Sequence, residues 1–188
     1  MLKPSVYVII IESLDQSQVY GGSRIEIFED GAHLPIEAAV FSEAPEISSF
    51  LISRKEYRIA EICGLWNSLA VAGLGIGSTY SIRCGIALAS LINVNELVAL
   101  CSPYTYRIAH NYGFQLLECV GANGAIPYAG ANEIAHVTYQ DNIQTLPGSS
   151  DEERNFILDL RKNPIQTRIE NGRKGILKVQ YDLSLNRS

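Results

Sequence analysis

The sequence predicts one α/β domain, and three observations carry that expectation. Of 188 residues, 47% are apolar and 19% charged, a balance that supports a buried core rather than disorder. Short β-branched or alternating runs recur at residues 5–11, 19–29, 57–67 and 96–101. Residues 78–92 carry Arg83 as their only charge and read as a helix covered over most of its circumference.

The elements follow in chain order. Residues 5–11 (S-V-Y-V-I-I-I) read as a strand buried on both faces, and Asp15-Gln16-Ser17-Gln18 as a turn. Residues 19–29 set Ile25 and Ile27 against Arg24 and Glu26, which predicts a hairpin with the first run. Gly21-Gly22 marks a bulge or a close backbone contact in it, and Asp30-Gly31 ends it. Residues 33–56, with Pro35 and Pro45, read as loop with one short helix. After the strand at 57–67 and the helix at 78–92 comes a strand at Glu96–Cys101, stopped by Ser102-Pro103. Pro103 opens a helix running to Tyr112, with Gly113 as its C-terminal cap. A strand at 114–120, a glycine-rich connection at 121–130 and a strand at 134–139 follow.

Ser149 and Ser150 with Glu152 and Glu153 form a capping box for a helix over Asp151–Lys162, closed by Pro164. Leu177, Val179, Tyr181 and Leu183 share one face of a last strand at 176–183. No repeat or linker divides the chain, so residues 5–140 form the core of a single domain and 141–188 a helix-strand extension.

Charge and cysteine usage exclude several classes. The formal net charge is -5 and no basic cluster points to nucleic acid; Arg168, Arg173 and Lys174, with Glu170 among them, read as a solvated face. Cys63, Cys84, Cys101 and Cys119 each fall in an apolar element without a CxxC pair, as buried reduced thiols of a cytoplasmic protein do. His33, His110 and His136 have no ligand spacing, so no metal is expected. The first apolar run is too short for a signal peptide, and none reaches the roughly 18 residues of a membrane span.

The chemistry centres on Gly73, Gly75 and Gly77 between a strand and a helix. Glycines there let backbone approach a ligand, and the first helical turn offers unpaired N–H groups and a positive dipole end to an anion such as a pyrophosphate; the Ser78 hydroxyl adds to it. A tight strand-to-helix turn without ligand explains the same pattern. G-x-G-x-x-G fails because residue 78 is Ser78, and a Walker loop lacks its Gly-Lys-Ser/Thr ending.

The stretch from Arg58 to Val120 resembles the GNAT superfamily of acyl-coenzyme A-dependent N-acyltransferases. Its pyrophosphate loop, Gln/Arg-x-x-Gly-x-Gly/Ala, is matched by Ala72-Gly73-Leu74-Gly75-Ile76-Gly77, with Ala72 in place of the leading Gln/Arg. Tyr104–Phe114 is similar to that family's fourth helix, which ends in Gly-Phe. The resemblance implies a mixed, largely antiparallel sheet with helices on both faces. It also implies two strands that splay apart around a pantetheine arm, with Leu65, Trp66 and Asn67 offering backbone groups to its amides. Gly73, Leu74, Gly75, Ile76, Gly77 and Ser78 would hold the phosphates.

Glu61 falls where several family members place a general base, and a partly buried carboxylate suits that work. The alternative is a strand glutamate paired with Arg58 or Arg83. The family's tyrosine that protonates the leaving thiolate is Ala109 here; Tyr106 or Tyr104 would substitute, unless both only pack at the helix surface. Cys101 as a nucleophile has no histidine placed near it.

Two departures accompany the resemblance. The family's initial strand and helix pair, which line the acceptor pocket, have no counterpart before residue 5. Sequence upstream, another segment or subunit, or loss of catalysis would each account for that. The long C-terminal segment looks like the acyl-homoserine-lactone and N-acyl amino acid synthase branch, whose members take acyl chains from acyl carrier protein. The implied activity is acyl transfer from acyl-CoA, acetyl-CoA or acyl carrier protein to a small-molecule amine. The alternative is an inactive GNAT-like domain that binds acyl-CoA or a protein partner. An exposed strand edge would also permit a homodimer.

Overall fold

A computed structural model describes residues 5–29, 31–74, 76–128 and 133–185. Val6–Glu12 (β1) and Val19–Ile27 (β2) form the expected antiparallel hairpin, and β2 pairs antiparallel with Ile59–Asn67 (β3). Next to β3 lies Glu96–Cys101 (β4), and these two run parallel. A parallel neighbour needs a crossover, supplied by the helix Ile76–Leu91 (α3). Gln115–Leu116 (β5), Ala125–Pro127 (β6) and Ile134–Gln140 (β7) complete a sheet of order β1-β2-β3-β4-β7-β5, with β6 also on β7. Every pair except β3–β4 is antiparallel.

Both faces carry helices. Pro35–Val40 (α1) and Glu46–Ser53 (α2) bury Ile36, Val40, Ile47 and Leu51 against Ile59, Val98 and Val137 on one face. On the other, Ile82 and Ile86 of α3 meet Ile25, Ala60 and Ile62, and Asp151–Lys162 (α5) adds Ile157 and Leu160. Pro103–His110 (α4) follows β4, its N-cap Ser102 accepting the Thr105 N–H. Arg83 enters this core only because both Glu153 oxygens (2.7 Å each) and Glu170 (3.1 Å) accept from it.

Several expectations need correction. β1 is not buried on both faces: it is an edge strand, with Val8 47% and Ile10 52% exposed. Its composition reports strand propensity, not the number of neighbours. Residues 33–56 hold two helices, because Pro35 is the first residue of α1 and Pro45 caps α2, positions where a missing N–H costs nothing. Glu37 joins them, accepting the Leu34 N–H (2.8 Å) and the Ser48 hydroxyl (2.7 Å).

The strand expected at 114–120 stops after Leu116, where the chain turns and leaves Cys119 exposed; β6 lies in the glycine-rich connection. Among the described residues all four thiols are free. Asp30 lies outside the described residues.

Beyond α5 there are two strands, not one: Ile165–Gly172 (β8) and Gly175–Asp182 (β9), joined at the Gly172–Gly175 pair by Arg173 and Lys174. Tyr181 faces the core as expected. Arg168 and Glu170 are not a solvated face; Arg168 pairs with Asp159 at 3.1 Å and Glu170 with Arg83. Among the described residues no helix is long and apolar enough to cross a membrane.

Candidate active site

The parallel pair is short. Ile59, Ala60 and Glu61 pair with Glu96, Leu97 and Val98, and the pairing ends there. On its other edge β3 stays paired with β2 as far as Asn67, through an irregularity: Cys63 to Trp66 opposes Arg24 to Gly22, one extra residue in β3. Gly64 occupies this bulge at φ 62°, a conformation that disfavours side chains. A bulge bends its strand and strengthens the local twist. β3 therefore follows β2 and leaves β4 behind. The gap is a cleft of about 310 Å3 lined by Glu61 and Leu65 of β3, Leu100 of β4, Ile82 of α3 and Ile36 of α1, with Phe114. It joins the α3 face of the sheet to the α1 face. The helices α1 and α2 lie between β2 and β3, and α1 forms one wall of the cleft.

Glu61 sits where the strands part and is 2% exposed. Its Oε2 accepts the Ile36 N–H at 2.8 Å, in the first turn of α1. Neither arginine considered for it is its partner: Arg58 donates to the Ile92 carbonyl, and Arg83 binds Glu153 and Glu170. Directly across β2 stands Glu26, 9% exposed, and Arg24 donates to the Cys63 Sγ at 3.2 Å. Burial drives the Glu61 carboxyl up, the Ile36 N–H opposes this and the Glu26 charge adds to it, leaving it at about 7. Burial also pushes the Cys63 and Cys101 thiols, both in the cleft wall, up to about 11. They stay protonated at neutral pH, which argues against Cys101 as a nucleophile.

The glycine turn is tightly packed. A Cβ on Gly77 would collide with the Asn67 side chain and stand 3.1 Å from the Trp66 carbonyl. A Cβ on Gly21 would stand 2.8 Å from the same carbonyl and 3.1 Å from the Gly77 Cα. So Gly21 and Gly77 let β2, β3 and the start of α3 meet, a structural reason for part of the glycine pattern. Gly77 and Ser78 are buried, Leu74 and Ile76 partly buried, and Ala72 and Gly73 exposed, Gly73 at φ 75°. Gly75 lies outside the described residues.

Of Leu65, Trp66 and Asn67, only Leu65 lines the cleft; Trp66 packs on Gly22 and Asn67 on Gly77. Tyr104 is 53% exposed beside Arg107, and Tyr106 tilts against His110 and His136. Neither lines the cleft. Thr105 and Ala109 do, one turn apart on α4, which turns residues 104 and 106 to either side. Among the described residues the tyrosine that does line it is Tyr128, from the glycine-rich connection, where no periodic pattern announced it.

No protein-family model and no curated protein sequence matches the chain. Solved structures do. The N-acyl amino acid synthase FeeM from uncultured soil microbes is 18% identical with a TM-score of 0.58, over 79% of this chain and 79% of that one. A provisionally named arylalkylamine N-acetyltransferase 7 from the yellow fever mosquito Aedes aegypti is 15% identical with a TM-score of 0.53, over 73% and 64%. TofI, solved in a ternary complex with an inhibitor and MTA, is 7% identical with a TM-score of 0.51, over 75% and 66%. At these identities the likeness is one of fold. A largely antiparallel sheet, one parallel pair within it and a splay beside that pair agree with it: the chain has the fold of the GNAT-type N-acyltransferases.

Proposed function

We propose that the chain transfers an acyl group from a thioester, carried by coenzyme A or an acyl carrier protein, to a small-molecule amine. One observation carries this: β3 and β4 separate at the position of Glu61, and the cleft so opened crosses the sheet with that carboxyl in its wall. The donor arm enters from the start of α3, and the amine approaches from the α1 face. An amine is an ammonium ion at neutral pH and cannot attack until it loses a proton. A carboxyl near 7 is about half ionised there, which suits a general base.

The free amine then attacks the thioester carbon. The oxyanion forms beside the bulge, where a backbone N–H around Leu65 is released from regular pairing and stabilises it. The added nitrogen gives up its second proton to water, collapse of the intermediate breaks the C–S bond, and the leaving thiolate takes a proton, for which Tyr128, a tyrosine of the wall, replaces Tyr104 and Tyr106.

Free-thiol release from acetyl-CoA and from longer acyl thioesters, with a panel of primary amines, tests this. Amine-dependent release supports transfer. Thermal stabilisation by acyl-CoA without release would favour the second reading, a domain that binds the thioester without turnover. That alternative draws support from Glu61 itself, since its bond to the Ile36 N–H also serves to seat α1.

A further inference from the structure

β1 ends the sheet, and among the described residues no strand pairs with its outer side. Its inner side is paired with β2 from Val6 to Glu12. The Ser5 carbonyl accepts the Ile27 N–H at 2.9 Å, which fixes the phase of that pairing. Backbone groups alternate in direction along a strand, so Tyr7, Ile9 and Ile11 turn theirs to β2. Val6, Val8 and Ile10 therefore turn their N–H and C=O groups outward.

An open edge is ordinarily guarded by a charge, a proline or a bulge within the strand. From Val6 to Ile11 (V-Y-V-I-I-I) there is none, and the register stays regular up to Ile11. Val8 and Ile10 leave about half their surface open on the α1 face, and Tyr7 and Ile11 are only partly buried on the other. The chain carries a net charge of -5, so two copies repel at long range, and an uncharged edge is where they meet without like charges in contact. Glu12 decides the direction. A parallel pair of edges would set it beside its own copy. An antiparallel pair centred on Val8 holds the two Glu12 residues about 27 Å apart, well beyond a screening length of about 8 Å.

We propose that this edge pairs with the β1 edge of a second copy, antiparallel and centred on Val8, so that one sheet runs through both. Val8 then faces Val8 of the partner subunit, and Val6 faces the partner's Ile10, all three through outward backbone groups. That arrangement forms about six N–H···O bonds. Tyr7 faces the partner's Ile9 on the α3 face, an aromatic against a β-branched side chain. The two-fold axis stands perpendicular to the sheet, so both clefts open on the same side of the dimer. One strand pair is a small interface, so association is weak, with a dissociation constant on the order of 10–100 µM.

Two measurements on the full chain test it, and neither requires turnover, so the transferase reading stands or falls separately. The first is sedimentation equilibrium over a range of about 1 to 500 µM. Wild type passes from monomer to dimer across it. Val8→Lys sets two ammonium groups against each other at the axis and weakens association at least about tenfold, and Val8→Glu does the same with two carboxylates. An equimolar mixture of the two variants dimerises again, because lysine then faces glutamate. The second is amide hydrogen exchange on wild type, which does not depend on how any variant folds. The Val6, Val8 and Ile10 amides exchange freely in dilute solution and become protected as the dimer forms, whereas those of Tyr7, Ile9 and Ile11 are protected throughout. A monomer at every concentration, a dimer in which those three amides still exchange freely, or a variant mixture that stays monomeric overturns the proposal. So does protection of the three amides in the monomer, which would show the edge covered by another segment of the chain.

Discussion

Replacing Glu61 by glutamine separates a catalytic carboxyl from a structural one, because the two predict opposite changes. The carboxyl is raised from 4.5 to about 7, which at 1.36 kcal/mol per unit is a cost of about 3 kcal/mol for keeping it ionised in the fold. The sign follows from proton counting. Between those two values the folded state binds more protons than the unfolded state, so stability falls as pH rises through the window and levels off above it. Glu61→Gln keeps an acceptor for the Ile36 N–H and removes the buried charge. At pH 5 the two proteins should therefore have similar stability. At pH 8 the variant should be the more stable, by up to about 3 kcal/mol less the weakening of that one hydrogen bond. Urea unfolding at the two pH values measures this.

Turnover should move the other way. The wild-type rate should rise with pH through a limb near 7, and the variant should lose that limb together with about 10²- to 10⁴-fold in kcat. A variant that is less stable than wild type at pH 8 and turns over normally would refute the reasoning. It would show Glu61 to be the seat of α1 and nothing more.

Three further substitutions and one control bear on the cleft and the core. Gly64→Ala forces a side chain into φ 62° at the bulge; it should cost about 1 kcal/mol or more by urea unfolding and lower kcat further than its stability loss explains. Arg83→Leu strands Glu153 and Glu170 in the interior between α3, α5 and β8, and should destabilise by about 3–5 kcal/mol in the same assay. Tyr128→Phe should lower kcat for a thioester whose leaving thiol needs a proton, whereas Tyr106→Phe, outside the cleft, should leave kcat within about twofold.

Much of the scaffold was legible where local chemistry punctuates it. Ser102-Pro103 ends β4 where it should, and Ser150 with Pro164 frames α5 at both ends. Gly21-Gly22 announced a close contact that proved to involve Trp66 and Gly77. Other elements were hidden for physical reasons. Pro35 and Pro45 look like loop residues but open helices. β8 turns Ile165 and Ile169 to solvent and Arg168 and Glu170 inward, so its pattern is inverted relative to its burial.

The site was legible only in part. Glu61 and Leu65 reach the cleft, but their meeting with Ile36, Thr105 and Tyr128 depends on how far β3 departs from β4. That departure is set by one residue of register at Gly64, a property of the β2–β3 pair rather than of any local pattern.

The most direct test is a crystal structure with a non-hydrolysable acyl-CoA analogue. The account predicts the arm between β3 and β4 beyond Glu61 and Val98, the thioester carbonyl facing the bulge and the Glu61 carboxyl on the opposite, α1 side. An analogue bound elsewhere, with those two strands hydrogen-bonded along their full length, would contradict it.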